Sequence, residues 1–172
     1  MKQTITSKDT SIKQVSAVYT NYKFEPYSFI LDIGCGKYYQ DTIDRMSKEN
    51  IVASGYDPYN QTKEINDLSL SIFDNKNPDY IVCSNVLNVI KEDECIEDLL
   101  KMICSYSDKN TKIIFSIYRG DSSSVGKETT KGYQRNQKPR EYIDLLSKYF
   151  EVSKIKGNFI ECSNINYERR VA

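Results

Sequence analysis

Residues Phe29-Ile-Leu-Asp-Ile-Gly-Cys-Gly36 constrain the fold more than any other stretch. A short apolar run closed by glycines reads as a buried parallel strand entering a tight turn. Gly34 and Gly36 let the backbone take φ > 0 and let a ligand come close to it. Asp32 puts a carboxylate at the carboxyl end of the strand. That edge is where open α/β sheets bind ligands, at the point where strand order reverses.

The flanking segments extend this unit. A helix is expected over 38–49, with Tyr39, Ile43 and Met46 on its apolar face and Asn50 as its stop. Ile51–Asp57 is a second strand ending in an acid. Asp57 lies 21 residues after Gly36, the spacing at which a strand–turn–helix–strand unit brings a second carboxylate to a ribose hydroxyl. Upstream, caps at Asp9–Ser11 and apolar residues Ile12, Val15, Val18 and Tyr19 predict a helix over 9–20. It either covers a sheet edge or forms a lid with Lys13 and Gln14 turned inward.

Downstream, 58–79 has too few residues for a helix, a third strand and another connection, so one of them is abbreviated. Leu68–Phe73 reads as a short strand. Pro78–Asn85 is the fourth strand, 92–107 an amphipathic helix, and Thr111–Tyr118 the fifth strand. A helix over 139–150 precedes a closing hairpin, 151–156 with 158–162, turning at Gly157. Residues 119–138 form a long polar loop, and connections of that length in compact domains are functional or disordered. Residues 163–172 read as a polar, frayed tail. The alternation predicts one α/β domain over 1–172, with a mostly parallel sheet of seven strands, or six if abbreviated, and helices on both faces.

Asp32, then Gly34-Cys-Gly36, then Asp57, then an apolar strand ending in Asn85, then a terminal hairpin, resembles the class I S-adenosylmethionine-dependent methyltransferases, whose Rossmann-like sheet ends in an inserted antiparallel strand. The dinucleotide pattern is a poorer match, because its third glycine falls at Tyr39. The family's own third alternating glycine falls at Tyr38, a departure that bears on the shape of the turn. The resemblance implies S-adenosyl-L-methionine as cofactor. Its amino-acid end would meet Gly34, Cys35 and Gly36, with Asp32 toward the ammonium. Asp57 and Pro58 would meet the ribose, and Tyr59, Asn85, Val86 and Leu87 would border the adenine and the methionine chain.

The resemblance implies methyl transfer. The methyl is already activated on sulfur, so the protein must position the acceptor and exclude water, and a base is needed only for an acceptor that loses a proton. The absence of His is therefore no obstacle. Weak catalytic candidates are Asn85 and Tyr133. Arg119, Lys131, Tyr133 and Arg135, basic and aromatic groups in the 119–138 loop, are the substrate candidates. The expected acceptor is a small or nucleotide-like molecule. Ser84-Asn-Val-Leu lacks the prolines of the amino-group DNA methyltransferases, and no cysteine follows a proline, which removes the cytosine C5 nucleophile motif. Nucleic acid is not indicated by the balanced charge, 24 basic against 24 acidic residues. Two other readings stay open: a module that binds the cofactor without transferring methyl, and a related fold working on a nucleoside or nicotinamide ligand. Five cysteines without a CxxC pair argue for a reducing interior and against structural zinc. No apolar stretch approaches a membrane span, and a cytoplasmic protein is expected.

Overall fold

The computed structural model describes residues 2–164. The strands are β1 (Phe29–Ile33), β2 (Val52–Tyr56), β3 (Tyr80–Ser84), β4 (Lys112–Ser116), β5 (Lys127–Thr129), β6 (Gly132–Gln134), β7 (Phe150–Lys156) and β8 (Phe159–Asn164). Six of them form one sheet in the order β2-β1-β3-β4-β8-β7, while β5 and β6 pair as a separate hairpin. β1 to β4 are parallel, and β8 runs antiparallel between β4 and β7. The helices are α1 (Ala17–Asn21), α2 (Gln40–Ser47), α3 (Lys63–Ser71), α4 (Asp93–Ser105) and α5 (Ile143–Leu146).

Strand pleating sends successive side chains to opposite faces. Leu31, Ile33, Ile81, Cys83, Ile113 and Phe115 feed one core, with Ile96, Leu100 and Ile103 of α4 above them. Ile30, Tyr80, Val82 and Ile114 feed the other, with Val18, Tyr19 and Met46. Burial on both faces is why these strands read as continuous apolar runs. The register sets Asp32 beside Gly55 of β2 and Val82 of β3, so the acid is held from both sides.

The abbreviated sheet is the six-stranded one. Leu68–Phe73, expected as a strand, belongs to α3 and the turn that follows it. Thr62 caps α3 by accepting the Ile65 N–H at 3.3 Å. No strand between β2 and β3 exists among the described residues, so β2 is the sheet edge. A side chain takes over part of the missing ladder. The Asn66 carboxamide accepts the Asp57 N–H at 2.8 Å and donates to the Asp57 carbonyl at 3.0 Å. Replacing Asn66 by Ala leaves the Asp57 N–H buried without a partner, while the Asp57 carbonyl keeps the Gln61 N–H at 3.1 Å. A loss of about 1–3 kcal/mol is expected in urea unfolding, the cost of one such group. A loss below 0.5 kcal/mol, an order-of-magnitude threshold, would show that water replaces the carboxamide.

Other expectations also shift. The single helix over 9–20 is instead a 3-10 turn at Lys8–Thr10, an irregular stretch, and α1. The hydroxyls of Ser7, Ser11 and Ser16 bond to distant segments, which competes with a helix. The helix over 139–150 divides into a 3-10 turn at Pro139–Tyr142 and α5, and Phe150 already opens β7. The 119–138 loop contains the β5–β6 hairpin. Ser163 and Asn164 extend β8, with Asn164 Nδ2 donating to the Cys104 and Ser107 carbonyls. The rest of the expected tail lies outside the described residues. Asn50 stops the segment after α2 at φ 58°, as expected.

Candidate active site

Three strand ends meet at one edge. β1 leads into the Gly34–Gly36 turn, β2 into Asp57–Asn60, and β3 into Ser84–Val86. An N-terminal strap, from Gln3 to Ala17, crosses above them, and Cys95, Leu99 and Met102 of α4 close the side. Together they line a cavity of about 520 Å³, within the range of small-molecule sites.

The first turn has no spare room. Gly34 and Gly36 sit at φ 84° and 78°. A Cβ at Gly34 would lie 2.3 Å from Val86 Cγ2, and one at Gly36 would lie 2.7 Å from Ser11 Oγ. Both glycines are therefore required by conformation, and Gly34 also by space. The Gly34 and Cys35 N–H groups donate to the Tyr56 carbonyl at 2.7 and 3.3 Å. The second turn clasps the first. Asp57 Oδ2 accepts the Gly36 N–H at 2.9 Å and Asn60 Nδ2 at 3.1 Å, and Oδ1 accepts the Tyr59 and Asn60 N–H groups, each at 2.9 Å. Four donors fill the acceptor capacity of one carboxylate. Gln61 Nε2 adds a bond to the Gly36 carbonyl at 2.7 Å.

Asp32 is buried. The Tyr19 hydroxyl donates to its Oδ2 at 2.6 Å, and Oδ1 is buried without a partner. Burial raises the Asp32 carboxyl to about 7; the Tyr19 bond opposes the rise and the Asp57 charge adds to it. Asn85, in the left-handed region at φ 58°, donates its N–H to the Ser116 carbonyl at 2.7 Å, which ties the end of β3 to β4.

Of the ten residues expected at the cofactor, eight line the cavity: Gly34, Cys35, Gly36, Asp57, Pro58, Tyr59, Asn85 and Val86. Leu87 is buried in the core, and Asp32 is enclosed behind the turn. None of Arg119, Lys131, Tyr133 and Arg135 lines the cavity. Arg135 is committed elsewhere: Nε donates to the Ile90 carbonyl at 2.7 Å, and Nη2 to the Lys91 carbonyl at 2.9 Å and to Asp93 at 2.6 Å. The Tyr133 N–H donates to Ser7 Oγ at 3.1 Å, and that hydroxyl donates to the Val89 carbonyl at 3.1 Å. The hairpin therefore holds the strap. Ser11 Oγ accepts the Lys37 N–H, Ser16 and Ser84 share a bond at 2.6 Å, and Thr4 bonds to Glu92. Gln14 lines the cavity as a lid residue would, whereas Lys13 does not.

Tyr38, the poorest fit to the motif, points outward and is 40% exposed. Tyr39 turns under instead, against Gly55, where a Cβ would lie 2.5 Å from Tyr39 Cδ1. The close helix–strand packing that a third glycine would allow is achieved by a small residue on the strand instead of the helix.

A family model described as a methyltransferase domain matches residues 19–159. The chain belongs to this methyltransferase family. No curated protein matches it. Among solved structures, it is similar to an S-adenosylmethionine-dependent methyltransferase from Methanosarcina mazei, with 14% identity, TM-score 0.55, and 87% of this chain and 98% of that chain covered. It is also similar to a TehB-like S-adenosylmethionine-dependent methyltransferase from Corynebacterium glutamicum, with 15% identity, TM-score 0.52 and 85% of each chain covered. At such identities the likeness is one of fold. The sheet of this methyltransferase is that of class I, with the inserted antiparallel strand present and one edge strand fewer than the seven first considered.

The site of this methyltransferase offers no thiolate nucleophile. Burial, with the Asp32 and Asp57 charges adding, pushes the Cys35 thiol far up, so it stays protonated. No group of three or more metal-ligating side chains occurs among the described residues. Sequence reasoning missed the wall made by Cys95, Leu99 and Met102, the plug at Asn66, and the Tyr19–Asp32 bond. Only the last had a partial signal, a phenol inside an otherwise apolar stripe.

Proposed function

We propose that this methyltransferase transfers a methyl group from S-adenosyl-L-methionine to a small or nucleotide-like acceptor. The observation that carries the reading is the convergence of the Gly34–Gly36 turn, Asp57 and Asn85 on one cavity, with both glycines at positive φ and Gly34 packed so closely on Val86 that no side chain fits. The residues present suit the cofactor: a bare backbone turn, two carboxylates, and an apolar wall on α4. When bound, the cofactor supplies a methyl group already activated on a positive sulfur.

The chain's own residues bind, orient and shield. Gly34, Cys35 and Gly36 give backbone access to the amino-acid end. Asp57 takes the ribose hydroxyls by exchanging donors, with Asn60 Nδ2 the first to yield because a side-chain amide moves more freely than a turn N–H. Tyr59, Asn85 and Val86 border the remainder. The strap, held by its hydroxyl bonds, covers one side of the cavity and limits the access of water, which favours displacement at the methyl over hydrolysis. Arg119 and Lys131, exposed on the 119–138 segment, meet the acceptor as it approaches. Five free thiols suit a cytoplasmic protein, and no helix among the described residues is long and apolar enough to cross a membrane.

Isothermal titration with S-adenosyl-L-methionine and its demethylated product tests the reading. Dissociation constants on the order of micromolar are expected, worth about 8 kcal/mol of binding free energy. Heat-silent titrations with both ligands would refute it.

A further inference from the structure

We infer that Tyr19 is a positioning residue for the cofactor, acting through Asp32 by holding one carboxylate oxygen so that the other is left to the ligand's ammonium. The inference rests on the methyl-donor reading above. The Tyr19 ring is buried, and its hydroxyl reaches Asp32 Oδ2 at 2.6 Å. Asp32 Oδ1 is a buried acceptor with no partner. Such an oxygen calls for a donor. The amino-acid end of the proposed cofactor carries one, and because Asp32 lies behind the Gly34–Gly36 turn and not on the cavity wall, the ammonium reaches Oδ1 through one water. Without the Tyr19 bond, the carboxyl would be free to turn and share its oxygens among other donors.

Tyr19 also has the right anchorage. It lies in α1, at the end of the strap that roofs the cavity. Arg45 Nε of α2 donates to its backbone carbonyl at 3.2 Å, and its ring stacks on Phe24 at 5.7 Å. The hydroxyl is therefore fixed by packing independent of any ligand. Tyr39 lies 3.4 Å from the same hydroxyl without a bond to Asp32, so it is a natural control. The titratable groups facing Asp32 are Tyr19, Tyr39, Cys35, Asp57 and Cys83. Burial raises the two tyrosines and both thiols far above neutrality, so near pH 7 they are protonated and Asp32 is the group that changes charge.

The test compares two ligands on Tyr19→Phe: S-adenosyl-L-methionine, and methylthioadenosine, which has the nucleoside but no amino-acid end. Affinity for the first is expected to fall about tenfold, the scale of one hydrogen bond to a charged group, while affinity for the second stays within about twofold. The loss on the acid side of the affinity profile should move to higher pH, because the bond that favoured the ionised carboxyl is gone. Asp32→Asn should reproduce the ligand selectivity, and Tyr39→Phe should not. Equal losses for both ligands, or none, would overturn the inference, and so would an unmoved pH profile. If Tyr19→Phe does not fold, the NMR signal of the hydroxyl-bearing ring carbon of Tyr19 in the wild-type protein decides: it should shift on binding S-adenosyl-L-methionine and stay put with methylthioadenosine, and equal shifts or none would overturn the inference. Wild-type protein that binds neither ligand refutes the methyl-donor reading, and this inference with it; wild-type binding with no selective loss refutes this inference alone.

Discussion

Gly34→Ala should abolish cofactor binding and lower stability by about 2–5 kcal/mol. Two costs add. A non-glycine residue at φ 84° is strained by about 1–2 kcal/mol. A methyl group 2.3 Å from Val86 Cγ2, with Cγ1 at 3.3 Å and Cβ at 3.4 Å, forces the end of β3 outward, an overpacking cost of about 1–3 kcal/mol. That movement carries Asn85 with it and reshapes the wall that the ligand must touch. Gly157→Ala is the comparison: φ is 60°, but nothing lies within 4 Å of the added Cβ. It should cost only the strain, and binding should survive. Urea unfolding and calorimetric titration of the two variants separate conformation from packing. Equal stability losses, with binding retained in both, would show that the turn has room to relax.

The second large effect is a trade of affinity against stability at Asp32. Its folded carboxyl titrates at about 7, above the usual carboxylate range, chiefly because it is buried. The folded state therefore holds this proton more tightly than the unfolded chain does. The contribution of this group to stability is greatest below about pH 4, falls as pH rises from about 4 to 7, and is flat above that. An amide in its place has no charge to bury. Asp32→Asn should remove that slope and raise stability at pH 8 by about 1–3 kcal/mol. The gain from not burying a charge exceeds the cost of leaving the two amide N–H donors unpaired. The same variant should lose most of its affinity for S-adenosyl-L-methionine. Thermal unfolding at pH 5 and pH 8, set beside titration, reads both. A variant less stable than wild type at pH 8 would mean that water or another donor already satisfies Oδ1. The gain in the variant, with the loss of binding, would mark the unpaired acid as stability given up for a ligand, as strained or unsatisfied groups at functional sites are.

Much of the site was legible because its signals are local. Glycines one residue apart after an apolar run have few conformational uses, and Asp57 follows at the spacing one strand–helix–strand unit imposes. Gly34, Cys35, Gly36 and Asp57 could be named on that basis, and the family resemblance added Pro58, Tyr59, Asn85 and Val86. The substrate candidates were less legible, because exposure and charge do not say what a side chain already holds. Arg135 is basic and lies in the right segment, yet two carbonyls of the β3–α4 connection and the carboxylate of Asp93 at the start of α4 take its guanidinium. The segment 58–79 misled for a different reason. Ile65, Leu68, Leu70 and Phe73 fit either a strand or a helix over so short a run, and the Thr62 cap with Asn66 against the β2 edge favours the helix.

By itself, then, the sequence determined the parallel core, the closing hairpin, the bare turn and the two acids, because each follows from periodicity or backbone freedom within a few residues; the insertion of the last strand between its neighbours was implied by the family resemblance. Only the tertiary structure decided which groups share a partner. It placed the Tyr19 hydroxyl on Asp32, thirteen residues away, wrapped the N-terminal strap over the cavity through serine hydroxyls, and closed the sheet edge with an asparagine. Those pairings depend on where separate elements pack, and a hydrogen bond across such distances leaves no pattern along the chain.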